Sequence, residues 1–254
     1  MAYKDSPYLR ACIDSLKKQT IKSEIFITTS TPTDNIHAIA DDYNLQLHIT
    51  IGGQGIAHDW NFALQSASTR YVTLAHQDDL YLPDYTASCL KAANSRKDTL
   101  ICFTDYEEIA DNFLRSNNRL LRTKRLMIRT FLPLRHHLTT RFWKTRLLSF
   151  GCPIAAPTVM FDLKQIRDFN FSPAYTVSID WEGWYRLAQM KGSFIYVPQI
   201  LLQHRIHSAS ETTNAIGGSR RQAEDQLMYR KFWPPVIVKL LSRLYAEGYK
   251  SNQL

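Results

Sequence analysis

The chain has 254 residues, enough for one α/β domain of ordinary size with at most a small appendage. With 44% hydrophobic and 21% charged residues it carries a sizeable core, which excludes the disordered and fibrous classes. Lys and Arg outnumber Asp and Glu by 31 to 23, and the formal charge of +8 favours an anionic partner without choosing among phosphate, nucleic acid and acidic membrane.

Ser6-Pro7 reads as a helix cap with proline in the first turn, and Leu9, Cys12, Ile13 and Leu16 recur at helical spacing to about Gln19. Glu24 to Thr29 is β-branched and aromatic and predicts a strand. Asp34 opens a helix with Ile36, Ile39, Ala40 and Tyr43 on one face, and Leu45 to Ile51 predicts a second strand. A Gly-rich turn (52 to 55), a helix through Trp60 and Leu64, a strand Tyr71 to Ala75, a helix opened by Pro83 and a strand Leu100 to Thr104 follow. Helices alternating with strands predict a mainly parallel, twisted sheet covered on both faces.

The regularity breaks near Asp111. From Asn112 to Phe161 no acidic residue occurs, while Arg115, Arg119, Arg122, Lys124, Arg125, Arg129, Arg135, Arg141, Lys144 and Arg146 alternate with Leu, Ile, Phe and Trp. Such a basic amphipathic insertion suits either a solvated face or a helix lying on an anionic leaflet. Strands return at Ala156 to Phe161 and Phe194 to Val197, with a helix over DWEGWYRLAQM between them. A polar stretch, Ser208 to Gly218, leads into a helical tail interrupted at Pro234-Pro235. The domain plan is therefore 1–213, divided into 1–110, the insertion 111–150 and 151–213, followed by the tail 214–254.

Four scattered cysteines with no C-x-x-C indicate neither a disulfide framework nor a zinc site, and reduced thiols in a cytosol are the simple reading. No apolar run approaches the roughly 20 residues of a membrane span. The expected location is cytoplasmic, with peripheral attachment to the inner membrane face through the basic insertion.

Four places invite a chemical reading. The Gly-rich turn lacks a third glycine at 58, where His58 stands, and no G-K-[ST] follows, so a tight turn explains it better than a phosphate loop. The apolar strand YVTLA delivers His76, Gln77, Asp78 and Asp79 just past its C-terminal end, where parallel sheets place ligands. Adjacent carboxylates there suit a divalent cation carrying a diphosphate; equally, Asp79 and Asp84 could cap the next helix. In SIDWEGWYRLA, Asp180 is either a reactive carboxylate or a helix cap, and His204 and His207 flank Arg205 after the last strand.

In this order, the motifs resemble the family-2 glycosyltransferases of the nucleotide-diphospho-sugar transferase (GT-A) fold. YLRACIDSLKKQT (8 to 20) reproduces the family's Y-L-x-x-C-I-x-S-[IL]-x-x-Q-T helix, H-Q-D-D takes the place of its D-x-D-D, I-D-W-E-G-W-Y-R that of its E-D-x-[DE]-L-W-x-R, and Arg205 to Ser210 match R-x-H-x-x-S. The likeness spans roughly residues 3 to 213. It implies an inverting, metal-dependent transferase moving a sugar from a nucleotide diphosphate, with a UDP-sugar favoured, to a hydroxyl of a cell-surface glycan or lipid-linked acceptor.

Carried over residue by residue, the resemblance makes Asp180 the catalytic base, supported by Glu182 and Arg186. It places Thr29, Asn61, Asp78 and Asp79 at the donor, and Mg²⁺ or Mn²⁺ on Asp78 with His207 and His76. Trp181 and Trp184 are candidates for sugar stacking, although core packing suits at least one of them. Where the family has an Asp pair for uracil, Thr28-Thr29-Ser30 stand here, and the family's first strand should precede Tyr3, where only Met1 and Ala2 remain. A truncated reading frame is the expected cause. The rival expectation is a non-catalytic, truncated or degenerate basic module that binds membrane or polyanion. Nucleic acid is not an expected partner, because no recognised motif accompanies the basic stripe.

Overall fold

The computed structural model describes residues 1–53, 55–110, 113–132, 136–207 and 219–250. The polar stretch Ser208 to Gly218, with Ser210 of the last motif, and Arg135 of the insertion lie outside them. Apart from the short β4, which the sequence does not predict, the first half alternates as expected: α1 (Leu9–Lys17), β1 (Phe26–Thr29), α2 (Asp34–Tyr43), β2 (Gln46–Ile49), α3 (Ile56–Ser66), β3 (Tyr71–Thr73), β4 (Leu80–Tyr81), α4 (Tyr85–Asn94) and β5 (Thr99–Ala110). Thr33, not Asp34, is the N-cap of α2, its hydroxyl accepting the Ile36 N–H at 3.2 Å. The second half holds β6 (Phe113–Arg115), α5 (Arg119–Phe131), β7 (His137–Leu138), α6 (Arg141–Leu147), β8 (Val159–Asp162), α7 (Ile179–Gln189) and β9 (Ser193–Ile206). The tail forms α8 (Ser219–Arg230) and α9 (Pro235–Lys250), separated at Pro234-Pro235.

The main sheet runs β3-β8-β5-β9-β4, with β6 added to β5 and β7 to β9. Its long axis is the parallel pair β5–β9, and the strands around it pair antiparallel. The sheet is thus mixed, not mainly parallel. Parallel pairing requires a crossover connection and antiparallel pairing does not, so helix–strand alternation alone does not reveal that β3, β4, β6, β7 and β8 pair antiparallel.

A separate parallel pair, β1–β2, lies beside the amino terminus. Ala2 pairs in parallel with Thr29 and donates its N–H to Thr28 O at 2.8 Å; the Met1 ammonium donates to Ala75 O at 2.8 Å, and Tyr3 exchanges two 3.0 Å bonds with the Gln77 amide. Three residues therefore hold the place in which the sequence suggests a missing strand, and link the end of β1 to the segment after β3.

Both sheet faces are covered. Phe103, Val159, Phe161 and Phe194 pack with α3, α6 and α7, while Cys102, Met160 and Ile195 pack with Cys12 of α1 and Tyr85 and Cys89 of α4. The tail joins the first of these cores through Met228, Tyr229 and Val238.

The insertion is tied inward more than its charge pattern suggests. Leu121 and Ile128 of α5 are buried, Arg125 pairs with Asp105 at 2.7 Å, and Lys124 donates to the Tyr106 hydroxyl at 3.0 Å. Lys144 departs furthest from a solvated stripe. It is fully buried and donates to Met190 O at 2.7 Å and Gly192 O at 2.8 Å, which fastens α6 to the α7–β9 turn.

Burial lowers the Lys144 pKa from 10.5 to about 8. The folded chain releases this proton more readily than the unfolded one, so the site's contribution is full above about 10.5 and is lost as pH falls through about 8. Urea unfolding should show wild type gaining stability relative to Lys144→Met between those values. A difference that stays flat with pH would contradict the buried ammonium.

Candidate active site

The turn after β3 forms because Asp79 N–H donates back to His76 O at 3.3 Å, which turns two carboxylates and an imidazole toward one another. Among the described residues, ligand atoms of His76, Asp78 and Asp79 lie within 4.8 Å of one another, close enough that one divalent cation could reach all three. Asp79 is wholly buried. Its Oδ1 accepts the Arg205 N–H at 3.0 Å and lies 2.8 Å from His204 Nδ1, while Oδ2 has no hydrogen-bond partner. It does not cap α4, whose N-cap Asp84 makes no side-chain cap bond and instead accepts from Thr20 at 3.1 Å.

Burial opposes the His204 imidazolium, but the Asp79 carboxylate outweighs it and holds the pKa at about 9. Asp78 Oδ2 lies 3.0 Å from His207 Nε2, and Arg205 Nε donates to Asp78 O at 3.2 Å. Burial alone would raise the Asp78 pKa; His76, His207 and His204 more than offset it and keep the carboxyl ionised. Burial instead lowers the pKa of His76, whose Nε2 is buried without a partner. A neutral imidazole nitrogen and a carboxylate oxygen, both buried and unsatisfied, are costly unless something binds them.

β9 supplies the other wall. It runs on past the predicted Val197 to Ile206, and this extension carries His204, Arg205 and then His207 to the Asp78 turn. Tyr8 packs on both neighbours, its ring 4.4 Å from the Arg205 guanidinium and 5.1 Å from the His207 ring.

Asp180 sits in the first turn of α7. Its Oδ1 accepts the Trp181 N–H at 2.7 Å and its Oδ2 takes the Cys152 thiol at 3.7 Å. The N-cap position belongs to Ser178, so Asp180 is not the helix cap. Burial raises its pKa against the pull of the Trp181 N–H, Lys124 and Arg221. The segment that ends at β8 reaches both groups: Cys152 touches Asp180, and Pro157 O accepts from the Tyr81 hydroxyl beside the Asp78 turn at 2.9 Å.

Other expected site residues have different partners. Glu182 pairs with Arg186 at 2.9 Å, and Arg186 also donates to Asn170 O, so the two brace α7 against the preceding loop. Asn61 clamps the backbone of Phe171 with bonds of 2.9 and 2.6 Å, occupying the amide assigned to the donor. Gly183 completes this joint, since a Cβ there would lie 2.7 Å from the Phe171 ring. Thr29 is buried, its hydroxyl accepting the Thr31 N–H at 3.0 Å. Trp181 and Trp184 are core residues whose indoles donate to Leu148 O and Ile154 O, so neither stacks on sugar.

At the Gly-rich turn, Gly52 and Gly55 have φ of +91° and +92°, which explains the glycines as turn formers. All four cysteines are free; burial pushes Cys12 up to about 12, and its thiol donates to His76 O at 3.1 Å. Sequence reading missed Glu224 and Asp225, which hold the entry to α7, because nothing in their local pattern marks them.

The glycosyl transferase family 2 description matches residues 1–165. EpsH of Bacillus subtilis (strain 168), a protein named as a glycosyltransferase, is 30% identical over 105 residues; the match covers 39% of this chain and only 30% of EpsH. Residues 1–349 of S. aureus TarS, solved with UDP-GlcNAc, superpose with a TM-score of 0.64 at 12% identity, covering 95% of this chain and 68% of that one. Mannosyltransferase PcManGT of Pyrobaculum calidifontis, solved with GDP-Man and Mn²⁺, gives 0.63 at 17% identity over 98% of this chain and 67% of its own. Identities this low show a shared fold. The family description, which spans well over half the chain, shows more than that: this chain belongs to glycosyl transferase family 2.

Proposed function

We propose that the chain transfers a sugar from a nucleotide-diphosphate donor to a hydroxyl of a glycan or lipid-linked acceptor, in a single displacement with inversion. The observation that carries this reading is the His76–Asp78–Asp79 group with its two unsatisfied buried atoms, at the end of a strand in a family-2 chain. These residues fit a divalent cation, Mg²⁺ or Mn²⁺. Asp78, Asp79 Oδ2 and His76 Nε2 would hold it, with His207 bonded to Asp78 as a tuning partner. When bound, it supplies positive charge opposite the leaving diphosphate.

The chain's own groups account for the rest. Arg205, held over Tyr8, adds a second positive charge beside Asp78. Asp180, kept as a weak acid by burial, takes the acceptor's proton as the new glycosidic bond forms. The neighbours solved with UDP-GlcNAc and GDP-Man support a UDP- or GDP-sugar as donor. The outward row Arg119, Arg122 and Arg129 around exposed Leu126 supports an acceptor presented at an anionic surface. No helix among the described residues is long and apolar enough to cross a membrane.

The test is a thermal-shift and calorimetric screen of UDP- and GDP-sugars with and without Mn²⁺. A donor at about 100 times its Kd should add about 2.7 kcal/mol of stability, and only with metal present. No stabilisation by any donor, with or without Mn²⁺, would favour the rival non-catalytic basic module.

A further inference from the structure

The first tail helix, α8, holds the backbone before Asp180 and the side chain after it. Glu224 is buried and accepts five hydrogen bonds from the three residues before α7: Oε1 takes the Thr176 N–H at 3.1 Å and the Thr176 hydroxyl at 2.9 Å, while Oε2 takes the N–H groups of Thr176, Val177 and Ser178 at 3.2, 2.9 and 2.9 Å. Asp225, the next residue, accepts the Ser178 hydroxyl at 3.0 Å. That hydroxyl is consequently turned away from its own helix, and α7 begins without a side-chain cap of its own.

On the other side, Trp181 lies edge-on to Tyr229 of α8 at 5.0 Å and stacks on Phe232 at 6.2 Å. Asp180 thus stands between the Thr176–Ser178 segment held by Glu224 and Asp225 and an indole held by the rings of the tail. A carboxylate that accepts several backbone N–H groups is strongly favoured in its ionised form. Burial would raise the Glu224 pKa, but the donors at 176 to 178 outweigh it and lower it.

We propose that Glu224 is a positioning residue for sugar transfer: from α8 it fixes the Thr176–Ser178 backbone, and with it the direction in which Asp180 presents its carboxylate to the acceptor. The inference rests on Asp180 acting as the base. It assigns the tail, which lies beyond the residues matched by the family description, a place in the active centre. The donor-side group of Asp78, Asp79, His204 and His207 shares no hydrogen bond with Glu224, so donor binding should not depend on it.

The experiment compares Glu224→Gln with Asp180→Asn in the full chain, reading kcat, donor KM and the stoichiometry of Mn²⁺-dependent donor binding. Displacing a reacting group by about 1 Å costs on the order of 10²-fold, so Glu224→Gln should lower kcat by roughly 10- to 100-fold with donor KM and binding stoichiometry unchanged. A structural role alone would lower kcat and binding stoichiometry together, and that result would overturn the proposal. So would wild-type kcat in Glu224→Gln where Asp180→Asn is inactive. An active Asp180→Asn refutes the base assignment separately.

If Glu224→Gln does not fold, Thr176→Val removes one of the five bonds and leaves the carboxylate in place. It should lower kcat about 2- to 10-fold at constant donor KM, and an unchanged kcat would refute the positioning role.

Discussion

Asp180→Asn should remove most transfer, on the order of 10² to 10⁴-fold in kcat, while leaving the fold and donor binding intact. An asparagine Oδ1 can still accept the Trp181 N–H now bonded at 2.7 Å, so α7 keeps its first-turn geometry and loses only the proton acceptor. The same burial that suits Asp180 to the role makes a pH prediction. Its pKa is raised, so the base loses activity as pH falls through a value above the ordinary carboxylate range, and the acid limb of kcat/KM should lie there. A correctly folded Asp180→Asn protein that turns over at near wild-type rate would return Asp180 to a purely structural role.

Asp78→Ala should abolish Mn²⁺-dependent donor binding, a loss exceeding the roughly 10- to 100-fold that follows removal of an outer partner of a metal ligand. His207→Ala, which removes only the group 3.0 Å from Asp78 Oδ2, should fall within that smaller range. Asp79 is a poor choice for this test. It is wholly buried against His204, and truncating one member of a buried pair costs about 3–5 kcal/mol of stability. Titration calorimetry with Mn²⁺ and nucleotide distinguishes the cases; unchanged metal affinity in Asp78→Ala would show that the acidic turn holds no cation.

The helix–strand order of the first half, the Asp78–Asp79 turn at a strand end and the placement of Asp180 on α7 were all legible in the sequence. Each rests on local information: apolar spacing, turn residues and the motif strings around them. Helical spacing likewise accounts for the partner of Arg186, which is Glu182 four residues before it.

What the sequence left open depends on residues distant along the chain. Lys144 reads as one more cation in a basic stripe, and only the approach of the α7–β9 turn buries its ammonium against two carbonyls. Asn61 reads as a donor contact until Phe171, 110 residues later, takes its amide. Asp79 reads as a cap until the long parallel pairing of β9 with β5 brings His204 and Arg205 to it.

Composition and periodicity by themselves pointed to an α/β domain and to the candidate acids, which follow from the residue types that recur at each spacing, while the family-2 reading rested on the resemblance of the motif strings to a known family. Tertiary structure alone decided which acids are paired, which polar atoms are left unsatisfied and which helix holds Asp180 in place. The physical reason is that hydrogen bonds and desolvation act between groups a few ångströms apart in space, as with Glu224 and Thr176, 48 residues apart in the chain.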